Sequence, residues 1–209
     1  MNINSSKFNL SFQKQLVAKA TVLKNNEQCP VSVYKLDKKE DKDYFKKLSQ
    51  DKKWQGSKLL KYVREQFSKQ TRLKFTHGYK LKFYTIEDKE KNCLGYMQVN
   101  DARLNVQNLQ YIESQPANKK TKEYKYLGET MLAFLAKQQQ AKKWAKQLYI
   151  PTPLFDAREF YYKEGFESAC DSLHPLKMFL PLGEEENLIA RNEVHTQSEI
   201  ELVGQNENK

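Results

Sequence analysis

One short stretch of the chain decides the fold, and it runs Ala157-Arg158-Glu159-Phe160-Tyr161-Tyr162-Lys163-Glu164-Gly165-Phe166-Glu167. The pattern predicts a short helix over Asp156–Glu164, with Asp156 as its cap and Gly165 at its end. Phe160 and Phe166 are expected to pack inward, which would leave Tyr161 pointing along a cleft beside the preceding strand. The helix follows a short apolar run at Leu148–Ile150, so the two form a strand–helix pair.

About thirty residues upstream, a lysine-rich loop, residues 119–125, enters a second and longer helix predicted over Leu127–Lys146. The entry reads Tyr126-Leu127-Gly128-Glu129-Thr130. The first turn of a helix has unpaired N–H groups and a partial positive charge, so it binds phosphate groups readily. Gly128 would let a ligand approach the backbone closely, and the neighbouring lysines add charge.

The remaining elements predict a mixed α/β, or α+β, domain. A helix is expected over residues 57–70, with Ser57 as its N-cap, and a polar loop over Gln115–Glu123. Three strand-like runs between them predict an antiparallel meander. The predicted strands are Pro30–Leu36, Lys80–Thr85, Cys93–Val99, Leu104–Ile112, Leu148–Ile150 and Leu176–Leu182.

Taken together, the two segments resemble the GNAT superfamily of acyl-CoA-dependent N-acyltransferases. The pyrophosphate loop of that family, Arg/Gln-x-x-Gly-x-Gly/Ala, is matched at residues 125–130, with Lys125 in place of Arg/Gln and Thr130 in place of Gly/Ala. Its later helix, Ala-x-x-x-Tyr-x-Lys-x-Gly-Phe, is matched at Ala157, Tyr161, Lys163, Gly165 and Phe166. The resemblance covers about Lys80–Leu182. Within the superfamily, the sequence is similar to a less-studied bacterial branch.

The resemblance implies a central mixed, mostly antiparallel sheet flanked by helices. It also implies acetyl-CoA as co-substrate, no metal, and transfer of the acetyl group to a primary amine by direct attack in a ternary complex. The strand that ends at Ile112-Glu113-Ser114 would splay from its neighbour and pair with the pantetheine arm. The backbone of Lys125, Tyr126, Leu127, Gly128, Glu129 and Thr130 would hold the pyrophosphate.

Two catalytic residues follow from the same resemblance. Tyr161 occupies the position of the family's usual general acid, which protonates the leaving thiolate. Glu113 is the candidate general base because it ends the splayed strand beside the thioester. The alternative for Glu113 is an outward-facing sheet residue without a chemical role.

The charge of the chain is unevenly distributed. Lys and Arg number 36 and Asp and Glu 26, a net charge of +10. Residues 183–209 hold seven Glu against Arg191 and Lys209, a net of −5, so residues 1–182 carry +15. Lysine clusters lie at Lys35–Lys53 and Lys119–Lys125, and a field of this sign attracts anionic partners.

These patterns divide the chain into an N-terminal extension (1–29), an acetyltransferase domain (30–182) and an acidic, flexible tail (183–209). Within the tail, a weak helix is predicted near Glu185–Arg191. The acceptor, a small molecule or a protein, is left open. Two other functions stay open beside the acetyltransferase: a GNAT-type toxin that acetylates aminoacyl-tRNA, and a non-catalytic binding protein. A dedicated nucleic-acid module is not indicated, and the resemblance allows a homodimer.

Composition excludes several classes of protein. No apolar run is long enough for a transmembrane helix, and residues 1–11 lack the features of a Sec-type signal peptide. The three cysteines and three histidines have no metal-site spacing. We therefore expect a cytoplasmic protein; the alternative is a translocated bacterial effector whose Glu-rich C-terminus serves as the signal.

Overall fold

A computed structural model of the chain describes residues 14–37, 41, 43–70, 80–101, 106–141, 147–169 and 177–204. His77, His174 and Cys170 lie outside these residues, as do residues 142–146, where the long helix was predicted to end. Among the described residues, no helix has the length and apolar character to cross a membrane.

Ten strands of the described chain form a single mixed sheet. They are β1 (Gln15–Lys24), β2 (Glu27–Lys35), β3 (Lys80–Glu87), β4 (Cys93–Asp101), β5 (Val106–Ser114), β6 (Tyr124–Lys125), β7 (Gln147–Ile150), β8 (Glu167–Ser168), β9 (Met178–Phe179) and β10 (Glu201–Leu202). Their spatial order is β10-β1-β2-β3-β4-β5-β7-β9-β8, and β6 also pairs with β1. Only the β5–β7 pair of this sheet is parallel. The predicted mixed, mostly antiparallel sheet is confirmed, including the meander β3–β4–β5.

The described helices flank the sheet on both faces. They are α1 (Tyr44–Leu48), α2 (Leu60–Gln70), α3 (Pro116–Thr121), α4 (Leu127–Gln140), α5 (Arg158–Lys163) and α6 (Glu184–Thr196), with short 3-10 turns at Lys52–Trp54 and Phe155–Ala157. The Ser57 hydroxyl accepts a hydrogen bond from the backbone N–H of Leu60 at 2.9 Å, so it caps α2 as predicted.

Two hydrophobic clusters lie on opposite faces of the sheet, because side chains alternate along a strand. Tyr84 and Met97 belong to the larger cluster, which packs under α4. Phe83 and Tyr96, their neighbours on the same strands, belong to a smaller aromatic cluster under α1 and α2. The core therefore has two parts, and each part supports a different set of helices.

The predicted N-terminal extension differs from the structure, because β1 is an integral strand of the sheet. It forms a hairpin with β2 through Asn25 and Asn26, whose φ angles are 51° and 71°. Asparagine tolerates this left-handed conformation, and two such residues in succession form the type I′ turn that joins hairpin strands. The domain therefore begins before residue 30, and the Asn-Asn pair is the sequence signal for it.

Residues 184–202 of the predicted tail belong to the fold, and the helix predicted near Glu185–Arg191 is present. Residues 184–196 form α6, which buries Leu188 and Ile189 against the larger cluster, and β10 then pairs with β1. Three of the glutamates that make this segment acidic lie in the first turn of α6, where the helix dipole favours negative charge. Acidic composition here reflects the start of a helix.

The predicted polar loop at Gln115–Glu123 contains a helix, α3. Pro116 occupies its first turn, where a missing N–H costs nothing. The Asn118 side chain then bonds both the N–H and the carbonyl oxygen of Tyr124 at 2.7 Å. This bond pair fixes α3 beside β6, immediately before α4 begins.

Candidate active site

A gap opens between β5 and β7. Their parallel pairing runs only from Val106–Gln147 to Asn108–Tyr149, and in the described residues the rest of β5, up to Ser114, has no partner on that side. A bulge in β5 next to Leu109 adds to the local twist. The strand therefore splays from its neighbour, as the resemblance implied.

A cavity of about 950 Å³ lies over this gap, a volume typical of ligand sites. Its lining comes from four parts of the chain. Residues 52–59 form one side of the cavity and are called the 52–59 wall. Gly128 and residues 154–161 form another side, called the α4–α5 wall. The end of β5 and α3 supply the rest of the lining. Of the predicted site residues, the lining includes Ile112, Glu113, Ser114, Gly128 and Tyr161.

Glu113 is held by two hydroxyl groups in this cavity. Ser57 and Tyr96 each donate a hydrogen bond to its Oε2 at 2.6 Å, and the residue is 9% exposed. Burial, together with the negative charge of Glu113, raises the pKa of the Tyr96 hydroxyl, so this hydroxyl stays protonated and donates. Both donors use the same oxygen, and Oε1 takes no hydrogen bond from the described residues.

Tyr161 is almost fully buried, at 5% exposed, and lines the same cavity. Burial raises the pKa of its hydroxyl to about 12. Its ring packs between Phe160 and Phe166, at centroid distances of 5.3 and 5.7 Å. The hydroxyl makes no hydrogen bond with the described residues, so it is a neutral donor available to a ligand.

Side chains in the first turn of α4 point toward α6 and away from the cavity. The Thr130 hydroxyl accepts a hydrogen bond from the Asn192 amide at 3.0 Å. Glu129 pairs with His195 Nδ1 at 2.6 Å, and the His195 ring stacks on Tyr126. The substitution of Thr for Gly/Ala in the motif is thereby explained, because the larger side chain has a partner in α6.

The other predicted loop residues are also engaged outside the cavity lining. Leu127 is buried in the larger cluster, and Lys125 Nζ bonds the Asn26 side chain at 2.6 Å. Through their side chains, Lys125, Tyr126, Leu127, Glu129 and Thr130 thus serve the fold. The backbone N–H of Thr130 donates to the carbonyl oxygen of Tyr126 at 2.8 Å, so the predicted contact of Thr130 with a pyrophosphate is wrong. Any role of the other residues toward a ligand would fall to their backbone N–H groups.

Gly128 has a structural reason to be glycine. A Cβ at this position would lie 3.0 Å from Cζ of Phe160, closer than nearly all real contacts. The glycine therefore lets α5 pack on α4. Gly128 also lines the cavity, so its predicted approach to a ligand stays a prediction.

Three contributors to the site could not be predicted from the sequence. Ser57 was predicted as a helix cap, but its bond to Glu113 joins residues far apart in the chain. Tyr96 was predicted only as part of a strand. The lysines of the 52–59 wall form no motif; Lys52 and Lys53 lie in the Lys35–Lys53 cluster, whereas Lys58 lies outside it.

No protein-family model matches the chain, and no curated protein sequence matches it. Solved structures do. A variant of the toxin AtaT, bound to the C-terminus of the antitoxin AtaR and acetyl-CoA, gives a TM-score of 0.54 at 17% identity, over 76% of this chain and 97% of that one. The complex AtaTR bound with acetyl-CoA gives 0.53 at 16% identity, over 76% and 97%.

A GNAT-family acetyltransferase of Desulfovibrio desulfuricans, described as putative in its own name, gives a TM-score of 0.50 at 14% identity, over 71% of this chain and 96% of that one. At such identities the likeness establishes the fold. The chain has the GNAT fold, so the fold that the resemblance implied is confirmed.

Proposed function

We propose that this protein is an acetyl-CoA-dependent N-acetyltransferase that acetylates a primary amine by direct attack in a ternary complex. One observation carries the proposal. The gap between β5 and β7 opens into a single cavity that brings together Glu113, Tyr161 and the start of α4. These are the positions to which the resemblance assigns base, acid and pyrophosphate binding.

Acetyl-CoA fits the proposed site by charge and by shape. The first turn of α4 offers backbone N–H groups to a pyrophosphate, and Lys119 and Lys120 of α3 line the same cavity. The unpaired edge of β5 at Ile112–Ser114 offers backbone groups to an extended amide chain. Two structures of the same fold were solved with acetyl-CoA, which supports the same ligand here.

In the proposed reaction, the amine nitrogen forms a bond to the thioester carbonyl carbon. The carbon–sulfur bond then breaks, and its electron pair leaves on sulfur. Glu113 takes the proton that the amine loses, through Oε1 or an intervening water. Ser57 and Tyr96 hold the carboxylate in one orientation, which supplies the positioning that such a transfer requires.

Tyr161 acts on the leaving sulfur. With a pKa of about 12, its hydroxyl is a weaker acid than an ordinary thiol, whose pKa lies near 8.5. We therefore assign Tyr161 the role of a hydrogen-bond donor that stabilises the developing thiolate, with the proton of the product thiol coming ultimately from solvent. A neutral donor in a buried site is well suited to this task.

The test is to incubate the protein with acetyl-CoA and a panel of primary amines. Thiol release and acetylated amine are measured together, beside Glu113→Gln. We expect one thiol per acetylated amine, and a rate about 100-fold lower in the variant. Binding of acetyl-CoA without acetylation of any amine would instead support the non-catalytic alternative.

A further inference from the structure

The cavity is lined by an excess of lysine. Its lining lysines are Lys52, Lys53, Lys58, Lys119 and Lys120, and its lining carboxylates are Glu113 and Asp156. All five lysine side chains are exposed. The described lining contains no arginine, and its aromatic residues are Phe160 and Tyr161, of which the second is buried.

Three of these lysines belong to the end of the cavity where Glu113 lies. Two contacts fix the 52–59 wall there: Ser57 bonds Glu113, and the Trp54 ring lies 5.3 Å from the Tyr96 ring. The Trp54 indole N–H also donates to the carbonyl oxygen of Cys93 at 3.3 Å. Lys52, Lys53 and Lys58 are therefore carried by a segment anchored at the proposed base.

The other two lysines belong to α3, which contacts the 3-10 turn Lys52–Trp54 of the 52–59 wall. The Asn118–Tyr124 hydrogen bonds also tie α3 to β6, the strand that precedes α4 in the chain. We assign Lys119 and Lys120 to the phosphates of acetyl-CoA on that ground. The lysines of the 52–59 wall, whose segment is bonded to Glu113, are assigned to the acceptor.

A positive field at the acceptor end has two consequences. A cationic acceptor such as a polyamine is repelled, whereas a molecule that carries its amine on an anionic segment is attracted. A cleft strengthens this electrostatic effect. The same field lowers the pKa of an amine that enters it, which favours the neutral, nucleophilic form. The lysines therefore select the molecule that carries the acceptor amine, and they favour the neutral, nucleophilic form of that amine.

Resting on the proposed acetyl transfer, we propose that the acceptor is a free amino group on an acidic peptide segment, whose carboxylates pair with Lys52, Lys53 and Lys58. A peptide is favoured over a nucleic acid by the lining itself. Arginine forks, which suit phosphate, and exposed rings, on which bases stack, are absent from the described 52–59 wall.

The experiment compares three peptides of equal length whose free N-terminal amine is followed by Glu, Gln or Arg residues; arginine gives a positive charge without a second primary amine. The protein variants are the triple Lys52→Gln/Lys53→Gln/Lys58→Gln and a control triple, Lys46→Gln/Lys61→Gln/Lys89→Gln. The control removes the same charge from exposed lysines that lie outside the cavity lining. Calorimetry with acetyl-CoA is run on each protein.

We expect the acidic peptide to have a kcat/KM about tenfold above that of the neutral peptide, with the ratio shrinking as salt is added. The 52–59 triple should lose that preference while keeping its affinity for acetyl-CoA, and the control triple should keep both. Equal rates for the three peptides would overturn the inference, as would equal behaviour of the two triples.

Two further outcomes separate the inference from the proposed function. Small amines acetylated while every peptide stays unmodified, or an amine on an oligonucleotide strongly preferred over all peptides, would overturn the acidic peptide and leave acetyl transfer standing. No binding of acetyl-CoA and no thiol release would overturn both.

Discussion

The two walls of the cleft are built differently. The α4–α5 wall rests on the larger hydrophobic cluster, and Leu127, Tyr161 and Phe166 are part of that cluster. The 52–59 wall rests on the smaller aromatic cluster across the sheet, with Trp54 and Tyr96 as its contacts. One wall is mainly apolar where it meets the cavity, and the other carries exposed lysines.

This difference explains why the α4–α5 wall of the site could be predicted from the sequence. A Cβ at residue 128 would press on the Phe160 ring, so glycine suits this position, and a fixed residue type of this kind forms part of a motif. The 52–59 wall presents flexible charged side chains, which have no fixed spacing. In the proposed mechanism, the α4–α5 wall supplies Tyr161 and the start of α4, whereas the 52–59 wall supplies Ser57, which bonds Glu113, and the lysines proposed to select the acceptor.

The largest expected effect comes from the α4–α5 wall. Tyr161→Phe removes the hydroxyl from the cavity, and we expect kcat to fall at least about 100-fold with little change in acetyl-CoA affinity. The matched control is Tyr162→Phe, since that residue is 51% exposed and bonds Ser168. Equal kcat values in the two variants would remove Tyr161 from the mechanism.

The next effect is on stability, which we expect to depend on pH through Glu164 at the end of α5. Burial and the charge of Glu129 raise the pKa of Glu164 from 4.5 to about 7, against the opposing charges of Arg191 and His195. A raised carboxyl pKa means that the folded state binds more protons than the unfolded state. Its contribution is therefore present below pH 4.5 and is lost as the pH rises to about 7.

Allowing for screening by water, that loss is about 2 kcal/mol of unfolding free energy. Urea unfolding of wild type and Glu164→Gln across this pH range measures it. The slope with pH should be smaller in the variant. Parallel curves for the two proteins would show that Glu164 titrates normally.

A smaller effect is expected on the other wall. Ser57→Ala removes one of the two donors to Glu113, and kcat should fall about tenfold with a shifted pH profile for the proposed base. The lost helix cap costs about 1 kcal/mol of stability as well. Ser57→Thr keeps a hydroxyl and should restore most of the rate, whereas a merely structural role would leave the pH profile unchanged.

The smallest effect tests the support that α6 gives the α4–α5 wall. Asn192→Ala leaves the Thr130 hydroxyl without its donor, and we expect acetyl-CoA affinity to weaken about threefold. The exposed Val194→Ala on the same helix is the control. Tighter binding in Asn192→Ala would mean that α6 opposes the ligand.

Features of the fold that depend on residues close together in the sequence could be predicted, whereas features that depend on distant residues could not. The meander strands, the cap at Ser57 and the end of α5 follow from alternation, capping and Gly165, whose φ is 85°. The pairing of β1 with β10 and the packing of α6 on α4 join segments that lie far apart in the sequence. No local pattern in the acidic residues 183–209 indicates such contacts.

The candidate site divides in the same way. The residue types at Tyr161 and at residues 125–130 could be matched to motifs. The directions in which their side chains point could not be predicted. The structure shows that Tyr126, Glu129 and Thr130 face α6, and that Phe160 covers Gly128. These directions depend on tertiary packing, which one sequence does not display.

The most direct test of the account is a calorimetric titration of the intact protein with acetyl-CoA and, separately, with acetyl-pantetheine, which lacks the nucleotide and its phosphates. We predict micromolar binding of acetyl-CoA and far weaker binding of acetyl-pantetheine, because the start of α4 and the α3 lysines would have lost their ligand. Equal affinities, or no heat with either ligand, would contradict the assignment of this cleft to acetyl-CoA.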